Sequence, residues 1–165
     1  MKTVAIWVSL MIAMAVLSGG ISTATPLPDA AFVLRNPHDV DRLSNGHTLI
    51  TDGGDPSGRQ SRVIEVDAAG NTTWSLAAGL DFAHSAERLP NGNTLISDTG
   101  HDRVIEVTPA GSIVWNSQTV ALSDGSTLSY PNDADWLSAG NYLLITDRDH
   151  HRALEIRRDG TVVWQ

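Results

Sequence analysis

HSAERLPNGNTLISDTGHDRVIEVTPAGSIVW, residues 84–115, is a unit that this 165-residue chain contains three times. From His38 the same texture reads HDVDRLSNGHTLITD, then a longer loop, then RVIEVDAAGNTTW as far as Trp74. From Asn132 it reads NDADWLSAGNYLLITDRDHHRALEIRRDGTVVW as far as Trp164. The tryptophans that close the units lie 41 and 49 residues apart. A repeat in the forties means that one supersecondary unit is stacked on copies of itself.

Each unit holds four short strand signals separated by turn residues. In the middle copy these are Ser85–Leu89, Thr94–Ser97, Arg103–Thr108 and Ser112–Asn116. Pro90-Asn91-Gly92 and Pro109-Ala110-Gly111 supply hairpin turns between them. No sustained helical period follows residue 25, so the expected class is all-β with minimal helix. Four antiparallel strands in 40–50 residues make one blade of a β-propeller. The expected architecture is therefore a partial propeller of about three blades, with repeats near 38–74, 84–115 and 132–164. A β-solenoid is the runner-up, since its coils are shorter and have fewer hairpins.

Ahead of the repeats, Met1-Lys2 is followed by an almost wholly apolar run from Val4 to Leu17, then by Ser22-Thr23-Ala24. A positive start, an apolar stretch of about 14 and small residues at the end describe a secretory signal peptide, with cleavage expected near Ala24. A membrane span normally needs about 20 apolar residues. The expected location is thus outside the cytoplasm: secreted, periplasmic or at the cell surface. The mature part, 25–165, has no cysteine, so neither a disulfide framework nor a thiolate metal site nor a thiol nucleophile is available. A formal charge of −8 argues against nucleic acid as a partner.

The recurring residues have architectural explanations. Trp74, Trp115 and Trp164 are placed to fill gaps between neighbouring blades. Gly46, Gly92, Gly140, Gly70, Gly111 and Gly160 fall where turns need positive φ. Asp52, Asp98 and Asp147 close the second strands, and Arg62, Arg103 and Arg152 open the third, so each pair faces across a hairpin. His101 and His150 read as exposed hairpin-tip residues, and His47 as turn surface. No dedicated metal-site spacing is present; Asp52, Asp55, Asp147 and Asp149 come nearest to one.

Function is sought where the copies differ. The first position of each unit is His38, His84 and then Asn132, just before the innermost strand and near one mouth of a propeller channel. Two imidazoles and a carboxamide around one axis suit an anion, a metal or a reacting group, or simply hydrogen bonds to a neighbouring blade.

The pattern His-x-x-x-Arg-Leu-x-Asn-Gly-x-Thr-Leu-Ile-x-Asp, then Arg-Val-Ile-Glu-Val and Gly-x-x-x-Trp, resembles the arylsulfotransferase family of secreted propellers. The texture is also similar to propeller repeats of the NHL and pyrroloquinoline-quinone types. The resemblance implies six blades and cofactor-free transfer of a sulfuryl group from a phenolic sulfate ester to another phenol, through a sulfated histidine. It makes His84 the first candidate nucleophile, with His38 as supporting donor or alternative, and Arg103 and Asn132 as candidate anion contacts. Aryl sulfates and phenols are then the expected small-molecule partners. Three blades are only part of such a ring. Self-association of two chains is one expectation; a non-catalytic binding module or a fragment of a longer propeller is the alternative.

Overall fold

The computed structural model describes residues 33–137 and 141–165; the expected signal peptide over 1–24, and Gly140, lie outside the described residues. Three antiparallel sheets of four strands follow one another along the chain. The first contains β1 (Pro37–Arg42), β2 (Thr48–Asp52), β3 (Arg62–Val66) and β4 (Thr72–Leu76). The second contains β5 (Ala83–Arg88), β6 (Thr94–Asp98), β7 (Arg103–Val107) and β8 (Ile113–Asn116). The third contains β9 (Pro131–Leu137), β10 (Tyr142–Asp147), β11 (Arg152–Arg157) and β12 (Val162–Trp164). In every sheet sequence neighbours are also spatial neighbours, which is the up-and-down meander of a propeller blade. Helix among the described residues amounts to three single 3-10 turns.

Burial explains the strand sequences. The middle strands β2, β3, β6 and β7 are almost wholly buried, and β6 is buried at every position. A strand covered on both faces can carry a continuous apolar run, which is what Leu95-Ile96 and Val104-Ile105 supply. The first two sheets pack through Leu49, Val63, Ala86, Ile96, Ile105 and Val107. The second and third pack through Leu95, Val104, Ala134, Ile145, Leu154 and Ile156. The outer strands β4 and β8 are more exposed.

Two of the three closing tryptophans bridge blades as expected. Trp74 Nε1 donates to the Pro109 carbonyl at 2.8 Å, and Trp115 Nε1 to the Arg158 carbonyl at 2.9 Å. Trp164 departs from the expectation and is 58% exposed, since no described blade follows it. The turn glycines Gly46, Gly70, Gly92, Gly111 and Gly160 all have φ between 82° and 92°.

The Asp–Arg pairs form in every blade. Arg62 lies 3.2 Å from Asp52, Arg103 2.7 Å from Asp98 and Arg152 2.8 Å from Asp147, and all three carboxylates are buried. Each carboxylate also accepts a backbone N–H from the segment entering its blade: Asn36 for Asp52, Asp81 for Asp98 and Ser129 for Asp147. His101 and His150 are more than tip surface, for their Nδ1 atoms lie 2.9 Å from Asp98 and Asp147. His47 is likewise engaged, 2.7 Å from Glu65.

Glu65 and Glu106 are the acidic halves of the blade-to-blade joints. Burial by itself would raise the Glu106 carboxyl, but Asn93, Asn91 and Arg158 outweigh it and hold it below its ordinary value. A depressed carboxylate contributes stability above its unfolded value of about 4.3, and that contribution is lost as pH falls through the folded value. Glu106→Gln is expected to lower the urea midpoint at neutral pH and to flatten its decline in acid. Midpoints measured across pH check this.

Candidate functional site

The innermost strands β1, β5 and β9 each begin with a break in register, at the same place. Pro37 pairs with Asp52 but Asp39 with Thr51, so His38 is the extra residue. Ala83 pairs with Asp98 and Ser85 with Ser97, leaving His84 over; Pro131 and Asp133 leave Asn132 over in the same way. A bulged residue is released from the ladder and its side chain is re-aimed. The first positions of the three repeats are therefore the three bulges.

The bulges bring the two histidines together. The His38 and His84 rings stack with centroids 4.3 Å apart and planes 26° from parallel. Phe82 meets His38 edge-on at 4.9 Å and lies 6.0 Å from Tyr130. Phe82 and Tyr130 occupy equivalent positions, two residues before a bulge, and both have left-handed backbones with φ of 48° and 54°. Bulky residues rarely adopt that conformation, so it has to be held in place. Three contacts hold it: Ala83 N–H to Ser61 at 2.8 Å, Gly100 N–H to the Asp81 carbonyl at 2.8 Å and Tyr130 N–H to Asp102 at 2.7 Å. The Arg148 guanidinium lies 3.8 Å over the Tyr130 ring. Gly53 leaves the room that His38 needs, because a Cβ there would come within 2.8 Å of the imidazole.

Burial lowers the His84 pKa, and the neighbouring His38 lowers it further. The Asn132 backbone carbonyl, accepting from the ring, and the carboxylates Asp133 and Asp39 pull less strongly the other way. The downward shift favours the neutral ring, the form with a free nitrogen lone pair. The Asn132 Oδ1 is buried and has no partner among the described residues.

Carboxylates line the inner strands further along. Asp41, Glu87 and Asp135 are each raised above their ordinary values, first by burial and then by one another or by Asp39 and Asp133. No group of three or more metal-ligating side chains occurs among the described residues. Arg103, by contrast, is held on Asp98 and on the Gly79 carbonyl at 2.9 Å, within the scaffold of its own blade. Sequence reasoning missed Phe82, Tyr130 and Arg148. The available signal was an aromatic residue two places before the divergent first position in two of three copies.

No protein-family model matches the sequence, and no curated protein matches it. Among solved structures, the chain is similar to streptogramin B lyase, a β-propeller, at 12% identity and a TM-score of 0.57, over 77% of this chain and 39% of that one. It is also similar to a protein of unknown function from Bacteroides caccae, at 17% identity and a TM-score of 0.40, over 78% of this chain and 66% of that one. The chain thus spans less than two thirds of the length of either. The lyase likeness and the three blades identify the fold as a partial β-propeller.

Proposed function

We propose that this chain is an exported propeller enzyme that moves a sulfuryl group from an aryl sulfate to a phenol, with His84 as the nucleophile. The observation that carries this reading is a half-buried imidazole stacked on a second one, with the Phe82 ring 6.4 Å away and the Tyr130 ring 6.0 Å from Phe82. The aryl ring of a donor stacks against those aromatics. The free His84 nitrogen attacks sulfur, the bond from sulfur to the aryl oxygen breaks, and a phenolate leaves and takes up a proton. An acceptor phenol then attacks the same sulfur, the nitrogen–sulfur bond breaks, and the phenolic proton passes to the neighbouring His38 as base. Arg148 and the Asn132 amide supply the polar contacts to the sulfuryl oxygens.

A non-catalytic binding module is the competing reading, and one observation favours it. The recurring arginines Arg62, Arg103 and Arg152 all face buried aspartates of their own blades, and Arg148 is the guanidinium that lies over the Tyr130 ring.

Incubation with 4-nitrophenyl sulfate and a phenol acceptor separates the two. Acceptor-dependent nitrophenol release and a sulfated His84 peptide in mass spectra are expected. His84→Asn is expected to lower turnover by about a thousandfold or more. Folded protein that releases no nitrophenol would establish the binding module instead. The pH profile provides a second reading. Attack needs the neutral imidazole, so the acid limb of kcat/KM is expected below the ordinary histidine value of about 6.5. Because His38 holds His84 down, His38→Asn is expected to shift that limb upward.

A further inference from the structure

At the first joint, between the first two sheets, the innermost strands are tied directly beside their bulges. Asp39 follows the bulged His38 on β1, and its Oδ2 accepts the Ala86 N–H of β5 at 3.1 Å, two residues past the bulged His84. Its Oδ1 accepts the Val40 N–H of its own strand at 2.9 Å, so both carboxylate oxygens are engaged. Between β5 and β9 the tie runs instead from Glu87 to the Trp136 N–H at 2.6 Å, and Glu87 lies two residues further from its bulge than Asp39 does. Among the described residues, only the two strands that carry histidines are fastened this close to the mouth.

Asp39, Ser85 and Asp133 hold the same place in their blades, opposite Thr51, Ser97 and Thr146 in the hairpin register. Ser85 turns back into its own blade, its hydroxyl donating to the Ser97 hydroxyl at 3.0 Å. Asp39 reaches away to the neighbouring blade, and the Thr51 Oγ1 is left buried without a partner among the described residues. An unpaired buried hydroxyl is unfavourable, so the place of the carboxylate is set by what it meets across the joint.

A bulged residue is released from its ladder, so the ladder bonds of β1 and β5 do not themselves fix one bulge over the other. Rings stacked at 4.3 Å tolerate little sliding between the strands that carry them. Gly53 and Phe82 bound the His38 ring within the mouth, and the Asp39 bond, a carboxylate on a backbone N–H, joins the two strands themselves. We propose that Asp39 is the positioning residue of the histidine pair: bonded to the Ala86 N–H, it holds the bulge of β1 over that of β5 and keeps His38 stacked on His84. The inference concerns the pair used in the proposed reaction but stands on the bonds between β1 and β5, whatever reaction the pair performs.

Imidazole NMR titration of the full chain tests it, with the His84 signal assigned by its loss in His84→Asn. His38 lowers the His84 pKa, while the Asn132 carbonyl and Asp133 of β9 and Asp39 of β1 raise it, so His38→Asn is expected to move the His84 midpoint upward. Asp39→Asn removes the charge and keeps an acceptor oxygen, and in that background the upward move is expected to persist. Asp39→Ser removes the same charge but is too short to reach Ala86, and its hydroxyl is placed to meet Thr51 as Ser85 meets Ser97. In that background the move is expected to be lost. The two variants are alike in charge, so a difference between them reports position rather than electrostatics. Far-UV circular dichroism confirms the sheet in each. Should Asp39→Ser fail to fold, Asp39→Ala must lose the move instead. An equal upward move in the Asp39→Asn and Asp39→Ser backgrounds would overturn the proposal, as would the absence of any move with Asp39 in place. Protein that shows the expected pattern yet releases no nitrophenol would sink sulfuryl transfer and leave the positioning role standing.

Discussion

Asp98→Ala is expected to destabilise the protein by about 3 kcal/mol or more, the largest loss for a single polar side chain in the middle blade. Asp98 is buried and ties three segments together. It holds Arg103 from the next strand, His101 from the hairpin tip and the Asp81 N–H from the chain entering the blade. Removing it strands a guanidinium that is itself mostly buried, and leaves the Asp81 N–H without its acceptor. Asp98→Asn keeps the shape and one acceptor, and should recover part of the loss. The exposed Arg148–Asp149 pair is the control: Asp149→Ala is expected to leave the urea midpoint in place.

Gly160→Ala is expected to cost about 3 kcal/mol, against about 1 kcal/mol for Gly111→Ala at the same position one blade earlier. Both glycines have left-handed backbones, so both pay for an added Cβ. At Gly111 the Cβ meets only a Leu76 methyl, at 3.4 Å. At Gly160 it would lie 2.2 Å from the Ala121 carbonyl, which belongs to the connection between β8 and β9. That connection is fixed from both sides, because Ser123 N–H donates to the Gly160 carbonyl and Val162 N–H to the Ser123 hydroxyl. Backbone cannot yield as a side chain can. Urea midpoints of the two variants, measured side by side, test the difference.

The blades were legible because turn chemistry and strand pattern agree in every copy. Strand limits came within two residues; in the middle blade the first strand begins at Ala83 rather than Ser85. The reason is the bulge at His84, which lets pairing resume behind the unpaired residue and leaves no mark in an alternating pattern. His38, His84 and Asn132 were recognisable as candidates because the copies diverge there. That two of them stack was not, since stacking depends on where the bulge turns each side chain. Phe82 and Tyr130 were hidden for a related reason. Nothing in an aromatic residue's identity announces a left-handed backbone, and the first copy has Asn36 in that place.

Arg103 shows how a repeat can mislead. A guanidinium at the start of every third strand looks like a ring of anion contacts, but each one neutralises the aspartate of its own hairpin. The residue that does approach the Tyr130 ring, Arg148, appears in one copy only; Gly53 and Thr99 hold its position in the others.

The position of β6, buried at every residue and flanked by a packed blade on each side, makes the middle blade the keystone of the array. Stability in stacked repeats is close to a sum of nearest-neighbour terms, so the middle unit belongs to two of those terms and each end unit to one. A void cut beneath Ile96 or Ile105 would therefore loosen the histidine stack from below, because His38 and His84 stand on opposite sides of that first joint. Amide exchange should register this as a gradient, slowest along β6 and faster toward β1 and β12. The stacking of His38 on His84 is thus underwritten by the most buried strand of the described blades.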